Sequence, residues 1–168
     1  MGTDSLVLGV ADLLSRPSRR REEHLEVEVS GLAVLGSKVA EGKALRIDLL
    51  LEALNEAVVV KGTTDATWVG ECRRCLRPLE ATLRAPILEI FETDPTEGET
   101  QPLQRDHIDV EPVIREAVLL ELPLAPLCGA DCAGLCPQCG TDRNEAECGC
   151  AEEASDPRWA GLDQLHFE

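Results

Sequence analysis

The spacing of its cysteines is the feature that most restricts how this chain can fold. The 168-residue sequence contains eight cysteines, and six of them lie within the 23 residues from 128 to 150. Two pairs have the spacing C-x-x-C, at which a tight turn points both thiolates at one zinc ion about 2.3 Å away. Gly140 follows one of these pairs and relieves crowding there. The sequence therefore predicts Zn²⁺ as a cofactor, with thiolate ligands from Cys72, Cys75, Cys128, Cys132, Cys136, Cys139, Cys148 and Cys150.

The order of the cysteines suggests how they divide into sites. The motif CPQCG and the CGC eight residues after it form the pattern of a short zinc ribbon with four ligands. The remaining four cysteines form a second complete set if a helix returns the chain to the first C-x-x-C. In the alternative, Cys128 and Cys132 join the CPQCG pair, which leaves Cys72 and Cys75 as a free pair.

Two other roles for the cysteines fit their surroundings less well. Redox-active C-x-x-C pairs lie at a helix N-terminus in a βαβ setting, whereas Cys72 lies between two strand-like runs and Cys136 in a glycine-rich loop. Cysteines that act only as small buried hydrophobic residues are not expected to crowd into one short segment. Metal binding is therefore the preferred interpretation.

The sequence offers no positive case for an enzyme. A catalytic zinc keeps one position open for water and often has a general base nearby. His24, His107 and His166 are remote from the cysteine motifs in sequence and are expected to be surface or capping residues. The motifs of serine hydrolases, zinc proteases, P-loop proteins and dinucleotide-binding proteins do not occur. We predict a non-enzymatic protein without an evident small-molecule substrate.

The charge of the chain restricts its partners. The formal net charge is −16, from 32 acidic and 16 basic residues. Only Arg16 and Arg19 to Arg21 form a basic cluster, which we interpret as a solvated turn. Surfaces that bind phosphate by releasing counterions are basic, and single-strand binders use aromatic platforms, yet this chain has only four Trp and Phe residues. A direct, extensive RNA interface is therefore disfavoured, and we expect a strongly basic protein as the partner.

The sequence also suggests a compartment. It contains no run of about 20 apolar residues, and its N-terminus lacks the charged and apolar regions of a secretory signal. We therefore expect a cytoplasmic protein without a membrane partner. In a reducing compartment, cysteines are metal ligands or redox groups more often than disulfides.

Alternation of apolar and charged residues predicts an antiparallel sheet over residues 25 to 92. Leu25, Val27 and Val29 alternate with glutamates, as in a half-buried strand. The segments LRIDLLLEAL, AVVVKGTTDATWVGEC and LEATLRAPILEIFE continue the sheet, although the first is also compatible with a helix. The last two flank CRRCLRP, so Cys72 and Cys75 should lie at the tip of a long hairpin. A strand is also predicted from Leu6 to Leu14, broken by SRPSRRRE.

The rest of the chain is predicted as a loop, a helix and two appendages. Residues 93–105 are polar and contain two prolines, which indicates a mobile loop. Asp109 as a cap, Pro112 in the first turn and a helical period predict a helix over 109–121 that packs on the sheet, so the fold class is α+β. Three units follow: an α+β core over 1–127, a zinc ribbon over 128–150, and an acidic linker with a short amphipathic helix over 151–168.

The combination of these motifs resembles a known family. GECRRCLRPLE on a hairpin, an acidic middle segment, LPLAPLC after a helix, the ribbon CAGLCPQCGTDRNEAECGC and a terminal DPRWAGLDQL are together similar to the YceD family. The resemblance implies a role in accumulation or processing of large-subunit ribosomal RNA, without a known catalytic activity. It also implies that the family's paired cysteines correspond to the eight cysteines of this chain. Family ribbons often carry Leu-Asn where this chain has Arg143 and Asn144, so the leucine contact is lost and Asn144 remains.

Overall fold

The computed structural model describes residues 6–16, 19–55 and 57–150. Within these ranges the chain forms eight strands and two helices. They are β1 (Val7–Gly9), α1 (Ala11–Leu14), β2 (Arg20–Val27), β3 (Ser37–Val39), β4 (Leu45–Leu54), β5 (Ala57–Glu71), β6 (Pro78–Glu92), β7 (Gln101–Pro102), β8 (His107–Asp109) and α2 (Glu111–Glu121).

Six of the strands form one sheet. Their order is β2-β4-β5-β6-β7, and β3 pairs with β5 beyond the end of β4. All neighbours are antiparallel except β6 and β7, which pair in parallel at Phe91 and Glu92. Strands β1 and β8 form a separate two-stranded ladder. The predicted α+β class with a mainly antiparallel sheet is confirmed, and the sheet extends slightly beyond the predicted residues at both ends.

Alternation along β4 determines which face of the sheet is buried. Every second side chain of this strand is buried, which excludes the helical alternative for the segment. The buried residues are Leu45, Ile47, Leu49, Leu51 and Ala53. They share one core with Val113, Ile114 and Val118 of α2, which packs against β5 and β6. Strands β5 and β6 are the longest of the sheet. The core packs against one end of their hairpin, and the tip extends beyond it.

Helix α2 ends at the predicted residue but begins at Glu111, two residues after the predicted start. The Oδ1 atom of Asp109 accepts the backbone N–H of Glu111 at 3.0 Å, and Pro112 lies in the first turn, where its missing N–H has no intrahelical acceptor. The helix ends at Glu121, and Leu122 has extended backbone angles. The chain then runs towards the tip of the β5–β6 hairpin.

The predicted strand from Leu6 to Leu14 is wrong in its second half. Only β1 is extended, and the chain then forms the single helical turn α1. Val10 and Leu13 are completely buried. A helical turn places residues three apart on the same side, so it buries both, whereas a strand would point them to opposite faces.

The prediction that SRPSRRRE breaks regular structure is also wrong in part, because β2 begins at Arg20. Arg20 lies opposite Glu52 of β4 and forms an ion pair with it at 3.1 Å. Arg21 contacts Asp12 at 2.6 Å. Partners from other elements thus allow charged residues to occupy a strand, where the sequence alone indicates a solvated turn.

The segment predicted as an irregular loop over 93–105 contains the short strand β7. A turn precedes this strand: the Thr100 hydroxyl accepts the N–H of Thr96 at 2.8 Å and donates to Glu92 at 2.7 Å. The segment therefore contains regular structure where the sequence predicts a mobile loop.

The predictions for the C-terminal segment and for the division of the chain into units stay predictions. The acidic linker and amphipathic helix over 151–168 lie outside the described residues. The division into three units stays a prediction. In the described part of the chain, neither helix is long and apolar enough to cross a membrane.

Candidate metal centres

The first C-x-x-C forms the tip of the β5–β6 hairpin, as predicted. Strand β5 ends at Glu71 and β6 begins at Pro78. In the turn between them, the N–H of Leu76 donates to the carbonyl of Cys72 and the N–H of Cys72 donates to the carbonyl of Arg77, each at 2.8 Å. Leu76 has a φ of 58°, in the left-handed region. This turn brings Cys75 back beside Cys72.

The second C-x-x-C has the same turn. The N–H of Gly140 donates to the carbonyl of Cys136, and the N–H of Cys136 donates to the carbonyl of Thr141, again at 2.8 Å. Gly140 has a φ of 74° and takes the place that Leu76 takes in the hairpin. The two motifs CRRCL and CPQCG are therefore two copies of one local structure.

The chain after α2 brings two further cysteines to the hairpin tip. The carbonyl of Pro126 accepts the N–H of Arg73 at 2.9 Å, which fixes this chain beside the turn. Four sulfur atoms then lie within 4.8 Å of one another. We call this set the hairpin group, and its members are Cys72, Cys75, Cys128 and Cys132.

The other four cysteines also converge. Their sulfur atoms lie within 4.8 Å of one another, and we call this set the ribbon group, Cys136, Cys139, Cys148 and Cys150. The eight cysteines are thus divided as in the first of the two partitions considered from the sequence. All eight are free thiols.

The geometry of the hairpin group suits a tetrahedral metal ion. Four thiolates about 2.3 Å from a zinc ion lie roughly 3.8 Å from one another. The observed distances are 3.6 Å between the sulfurs of Cys75 and Cys128 and 3.8 Å between those of Cys72 and Cys132. Three members are buried and Cys128 is exposed. Four cysteine ligands would close the coordination sphere and leave no position for water or substrate.

The thiols within each group ionise unequally. Burial raises the pKa of Cys72, but hydrogen bonds from nearby backbone N–H groups outweigh it and lower that pKa to about 6. Backbone hydrogen bonds from Cys139 and Gln138 lower the pKa of Cys136 to about 6.

One partner in each group shifts in the opposite direction. The side-chain hydrogen bond with Cys132 raises the pKa of Cys128 to about 12, and that with Cys139 raises the pKa of Cys150 to about 12. In each group, therefore, one thiol ionises readily and another keeps its proton. A divalent cation among the four sulfurs would compensate the charge and displace that proton.

Backbone contacts attach the ribbon segment to the hairpin tip. The N–H of Leu135 donates to the carbonyl of Arg74 at 3.0 Å. Gly134 allows this approach, because it has a φ of 74° and a Cβ atom there would lie 3.1 Å from the same carbonyl oxygen. The Arg74 guanidinium also donates to the carbonyl of Cys132 at 2.9 Å. The two groups are therefore adjacent units of one structure.

Arginines form a second set of links, which the sequence analysis did not anticipate. Arg77 of the hairpin contacts Asp142 at 3.5 Å and Glu145 at 3.0 Å. Arg143 lies 3.9 Å from the Cys136 sulfur. A signal existed in the sequence, since CRRCLRP concentrates three cations beside thiols in an otherwise acidic chain.

The histidines stay apart from both groups where the structure describes them. His24 is exposed and pairs with Asp48 of β4 at 2.6 Å, a hydrogen bond that raises the pKa of the imidazole. His107 is exposed and pairs with its neighbour Asp106 at 2.7 Å. His166 lies outside the described residues.

Comparisons with known proteins agree with the sequence resemblance. The family model described as "Large ribosomal RNA subunit accumulation protein YceD" matches residues 60–166, a range that includes all eight cysteines. No solved structure matches the chain.

Bacterial relatives match over most of the chain, and a plant relative matches a shorter part of it. An uncharacterized protein of Mycobacterium tuberculosis is 38% identical over 170 residues, which cover 95% of this chain and 81% of that protein. The uncharacterized protein YlbN of Bacillus subtilis is 25% identical over 161 residues, 93% of this chain and 94% of the relative. A chloroplastic homolog of the YCED accumulation protein from Arabidopsis thaliana is 33% identical over 64 residues, 38% of this chain and 20% of the plant protein.

Proposed function

This chain belongs to the YceD family of large ribosomal RNA subunit accumulation proteins, and on that premise we propose that it is a non-enzymatic, zinc-binding accessory factor of ribosome biogenesis. In this proposal it acts in the cytoplasm and reaches ribosomal RNA through a basic ribosomal or ribosome-assembly protein. The observation that carries the proposal is the convergence of the eight cysteines into two groups of four, each with its sulfur atoms within 4.8 Å of one another.

The donor set favours zinc in a structural role. Soft thiolates in a tetrahedral arrangement suit Zn²⁺, and a site with four protein ligands has no open position for an activated water. Zinc bound there would cross-link β5, β6 and the chain after α2. Catalysis by the metal, or thiol exchange by the same cysteines, would require an open ligand position or an accessible thiol pair at a helix N-terminus. We therefore propose no enzymatic role.

The charge distribution supports a basic protein as the direct partner. Each zinc with four thiolates carries a formal charge of about −2, which would take the chain from −16 towards about −20. Among the described residues, three of the four arginines nearest the two groups are engaged, Arg74 with carbonyls, Arg77 with carboxylates and Arg143 with a thiol, whereas the Arg73 side chain is not. Few cations therefore remain for phosphate, while the acidic surface attracts basic partners.

A depletion experiment tests the cellular role. Removal of the protein from its own cells should lower the ratio of large-subunit to small-subunit ribosomal RNA, and the wild-type chain should restore it. A chain with Cys136→Ser and Cys139→Ser, present at the level of the wild-type chain, should fail to restore the ratio. An unchanged ratio on depletion would contradict the proposed function.

A capture experiment tests how the chain reaches RNA. The tagged protein is captured from its own cells with and without nuclease treatment. Retention of a basic ribosomal or assembly protein after nuclease treatment is the expected result. If nuclease releases every partner and the chain crosslinks to ribosomal RNA directly, the zinc ribbon contacts RNA itself and the protein-partner proposal fails.

A further inference from the structure

Beside the hairpin tip, the chain exposes an apolar groove that the proposed metal sites do not explain. The groove has a volume of about 930 Å³ and is lined by β3, the loop before it, the hairpin tip and the chain after α2. Three of its leucines are exposed, Leu35 by 97%, Leu124 by 67% and Leu76 by 57%. Apolar patches of this kind on a soluble protein usually contact another segment or molecule.

The frame of the groove is closely packed, so its leucines are held in place. The hydroxyl of Ser37 donates to the carbonyl of Pro123 at 2.9 Å. A Cβ atom at Gly36 would lie 2.4 Å from the Leu124 carbonyl oxygen, and one at Gly70 would lie 2.6 Å from the Gly36 carbonyl oxygen. Glycine at both positions lets three backbone segments meet below the exposed leucines.

The described part of the chain ends close to this groove. Cys150 and Cys136 both belong to the ribbon group. Leu135, which precedes Cys136 in sequence, donates its backbone N–H to the carbonyl of Arg74 in the hairpin tip. Arg73 and Leu76 of the same tip line the groove. An extended chain spans about 3.3 Å per residue, so the nine residues from Cys150 to Trp159 reach roughly 30 Å. The terminal segment is therefore long enough to reach every part of the groove.

The terminal segment has the chemistry that the groove requires. Trp159, Leu162 and Leu165 follow one another at the spacing i, i+3, i+6, which places them on one face if the segment is helical. Residues 151–168 contain five acidic residues and one arginine. Arg73 is exposed at the groove, and among the described residues the structure gives its side chain no hydrogen bond or ion pair. An acidic segment with an apolar face complements such a surface.

We propose that residues 151–168 of this chain occupy the groove, with Trp159 and its neighbouring leucines against Leu35, Leu76 and Leu124. The segment thereby covers the apolar surface of the hairpin tip and completes the structure around the two cysteine groups. This inference does not depend on the identity of the metal or on the ribosomal partner. A second copy of the chain and a separate protein are the competing occupants.

The environment of Trp159 tests the proposal in the full-length chain. A Trp68→Phe background leaves Trp159 as the only tryptophan, and its emission maximum and acrylamide quenching are measured across a dilution series. Groove variants add Leu35→Glu or Leu124→Glu. Leu88→Glu on β6 is the matched control, because Leu88 has the same 67% exposure as Leu124 but does not line the groove. Circular dichroism and metal content verify that each variant is folded.

The proposal expects Trp159 to be shielded in the background and in the Leu88→Glu control, at all concentrations. Each groove variant should move the emission to longer wavelength and increase quenching severalfold. Equal and strong quenching in all four proteins would overturn the proposal, as would shielding that survives both groove substitutions. Shielding that disappears on dilution would identify a second copy as the occupant and would overturn it as well.

Discussion

The side-chain amide of Asn144 donates a hydrogen bond to the Cys132 sulfur, with the two atoms 3.5 Å apart. The Oδ1 atom of Asn144 accepts the N–H of Ala133 at 2.8 Å. Asn144 lies in the ribbon segment between Cys139 and Cys148, whereas Cys132 belongs to the hairpin group. One side chain therefore links the segment between Cys139 and Cys148 to the hairpin group, and it stabilises negative charge on a candidate ligand.

Replacement of this residue, Asn144→Ala, should weaken metal binding by the hairpin group. Loss of a hydrogen bond to a ligand typically lowers metal affinity by about 10–100-fold. Competition with a coloured zinc chelator measures the effect, and the weakened site should release its ion first. The ribbon group should keep its affinity within a few-fold, because Asn144 contacts none of its sulfurs in the described structure.

Gln104→Ala is the matched control for this variant. It also removes an exposed side-chain amide, but Gln104 precedes β8 and lies at the other end of the β5–β6 hairpin from the cysteines. It should leave both affinities unchanged. If Asn144→Ala and Gln104→Ala lose zinc to the chelator equally, the Asn144 contact does not support the metal site.

Metal content provides a second prediction. Reduced, metal-replete protein should contain close to two zinc ions per chain, because eight thiolates form two groups of four. Cys72→Ser with Cys75→Ser should remove one ion, and Cys136→Ser with Cys139→Ser should remove the other. Elemental analysis and native mass spectrometry of the three proteins measure these numbers.

Chelation should also separate the ribbon segment from the sheet. Structural zinc sites contribute about 10–16 kcal/mol of apparent binding free energy to folding. The segment over 128–150 depends on this contribution more than the sheet does, because the sheet is stabilised by the apolar core. Protease cleavage within 128–150 should precede loss of the β-sheet circular dichroism signal. A single zinc ion per chain would disagree with two closed sites, and a chain without zinc would remove the structural role of both groups.

The backbone of the second C-x-x-C turn leads to a third prediction. Gly140 has a φ of 74° and open space where a Cβ atom would lie, so alanine there causes conformational strain without a clash. Gly140→Ala should destabilise the zinc-loaded ribbon group by about 1 kcal/mol, the cost of the left-handed conformation less the entropy gained over glycine. Chelator competition and thermal denaturation report this change.

Gly149→Ala is the matched control. Gly149 also has open space at its Cβ position and lies between two members of the ribbon group, but its φ is outside the left-handed region. Alanine there should be neutral or slightly stabilising. If Gly149→Ala proves as costly as Gly140→Ala, the cost comes from the proximity of a methyl group to the metal and not from the left-handed turn.

The strands and the two C-x-x-C turns could be predicted from sequence because their signals are local. Alternation along β4 and the C-x-x-C spacing at Cys72 and Cys136 each lie within about ten residues. Two-residue periodicity and thiolate spacing reflect the geometry of a strand and of a metal turn directly. The hairpin tip followed from these two signals together, since the cysteines fall between two alternating segments.

The features that were missed depend on partners remote in sequence. Arg20 lies in a strand because Glu52 of β4 is opposite, and that pairing is known only once the sheet register is known. The contact of Asn144 with Cys132 requires the ribbon segment to fold back on itself. The helical turn α1 is too short for a periodic signal, because four residues give barely one period.

The acidic segment before β7 leads to a fourth prediction about association with a basic partner. Glu97 and Glu99 are exposed in this segment. Glu97→Gln with Glu99→Gln should slow association with the captured partner, and the effect should shrink as salt rises because screening already weakens the attraction. Stopped-flow or surface-based kinetics over a salt series measure the association rate.

Glu22→Gln with Glu28→Gln makes the same change of charge elsewhere. Both residues are exposed, at or just after β2. If the segment with Glu97 steers the partner, this control should slow association less. Equal slowing by both pairs would mean that the net charge alone acts, and no effect from either pair would contradict electrostatic steering.

The final prediction concerns naked ribosomal RNA. Arg19, Arg20 and Arg21 form the main basic cluster of the chain, but carboxylates neutralise it in the folded protein. Asp12 contacts Arg19 at 3.7 Å and Arg21 at 2.6 Å. Phosphate binding would have to break these pairs. Zinc-loaded protein should therefore bind naked large-subunit RNA weakly at physiological salt, and replacement of the three arginines by glutamine should change the affinity little.

Removal of the carboxylates provides the reciprocal test. Asp12→Asn with Glu52→Gln frees Arg19 and Arg20 for phosphate, while Arg21 keeps its ion pair with Glu23 at 2.7 Å, so RNA affinity should rise and acquire a salt dependence. Each phosphate contact that the freed arginines form should add about −0.7 to −0.9 to the slope of log affinity against log salt. Filter binding over a salt series measures both quantities. Tight binding by the unmodified chain, with a steep slope that disappears in the arginine variant, would establish direct RNA contact and contradict the protein-partner proposal. Weak binding that becomes tight only when the carboxylates are removed would show that these ion pairs keep the chain from RNA, so that a basic protein has to supply the contact.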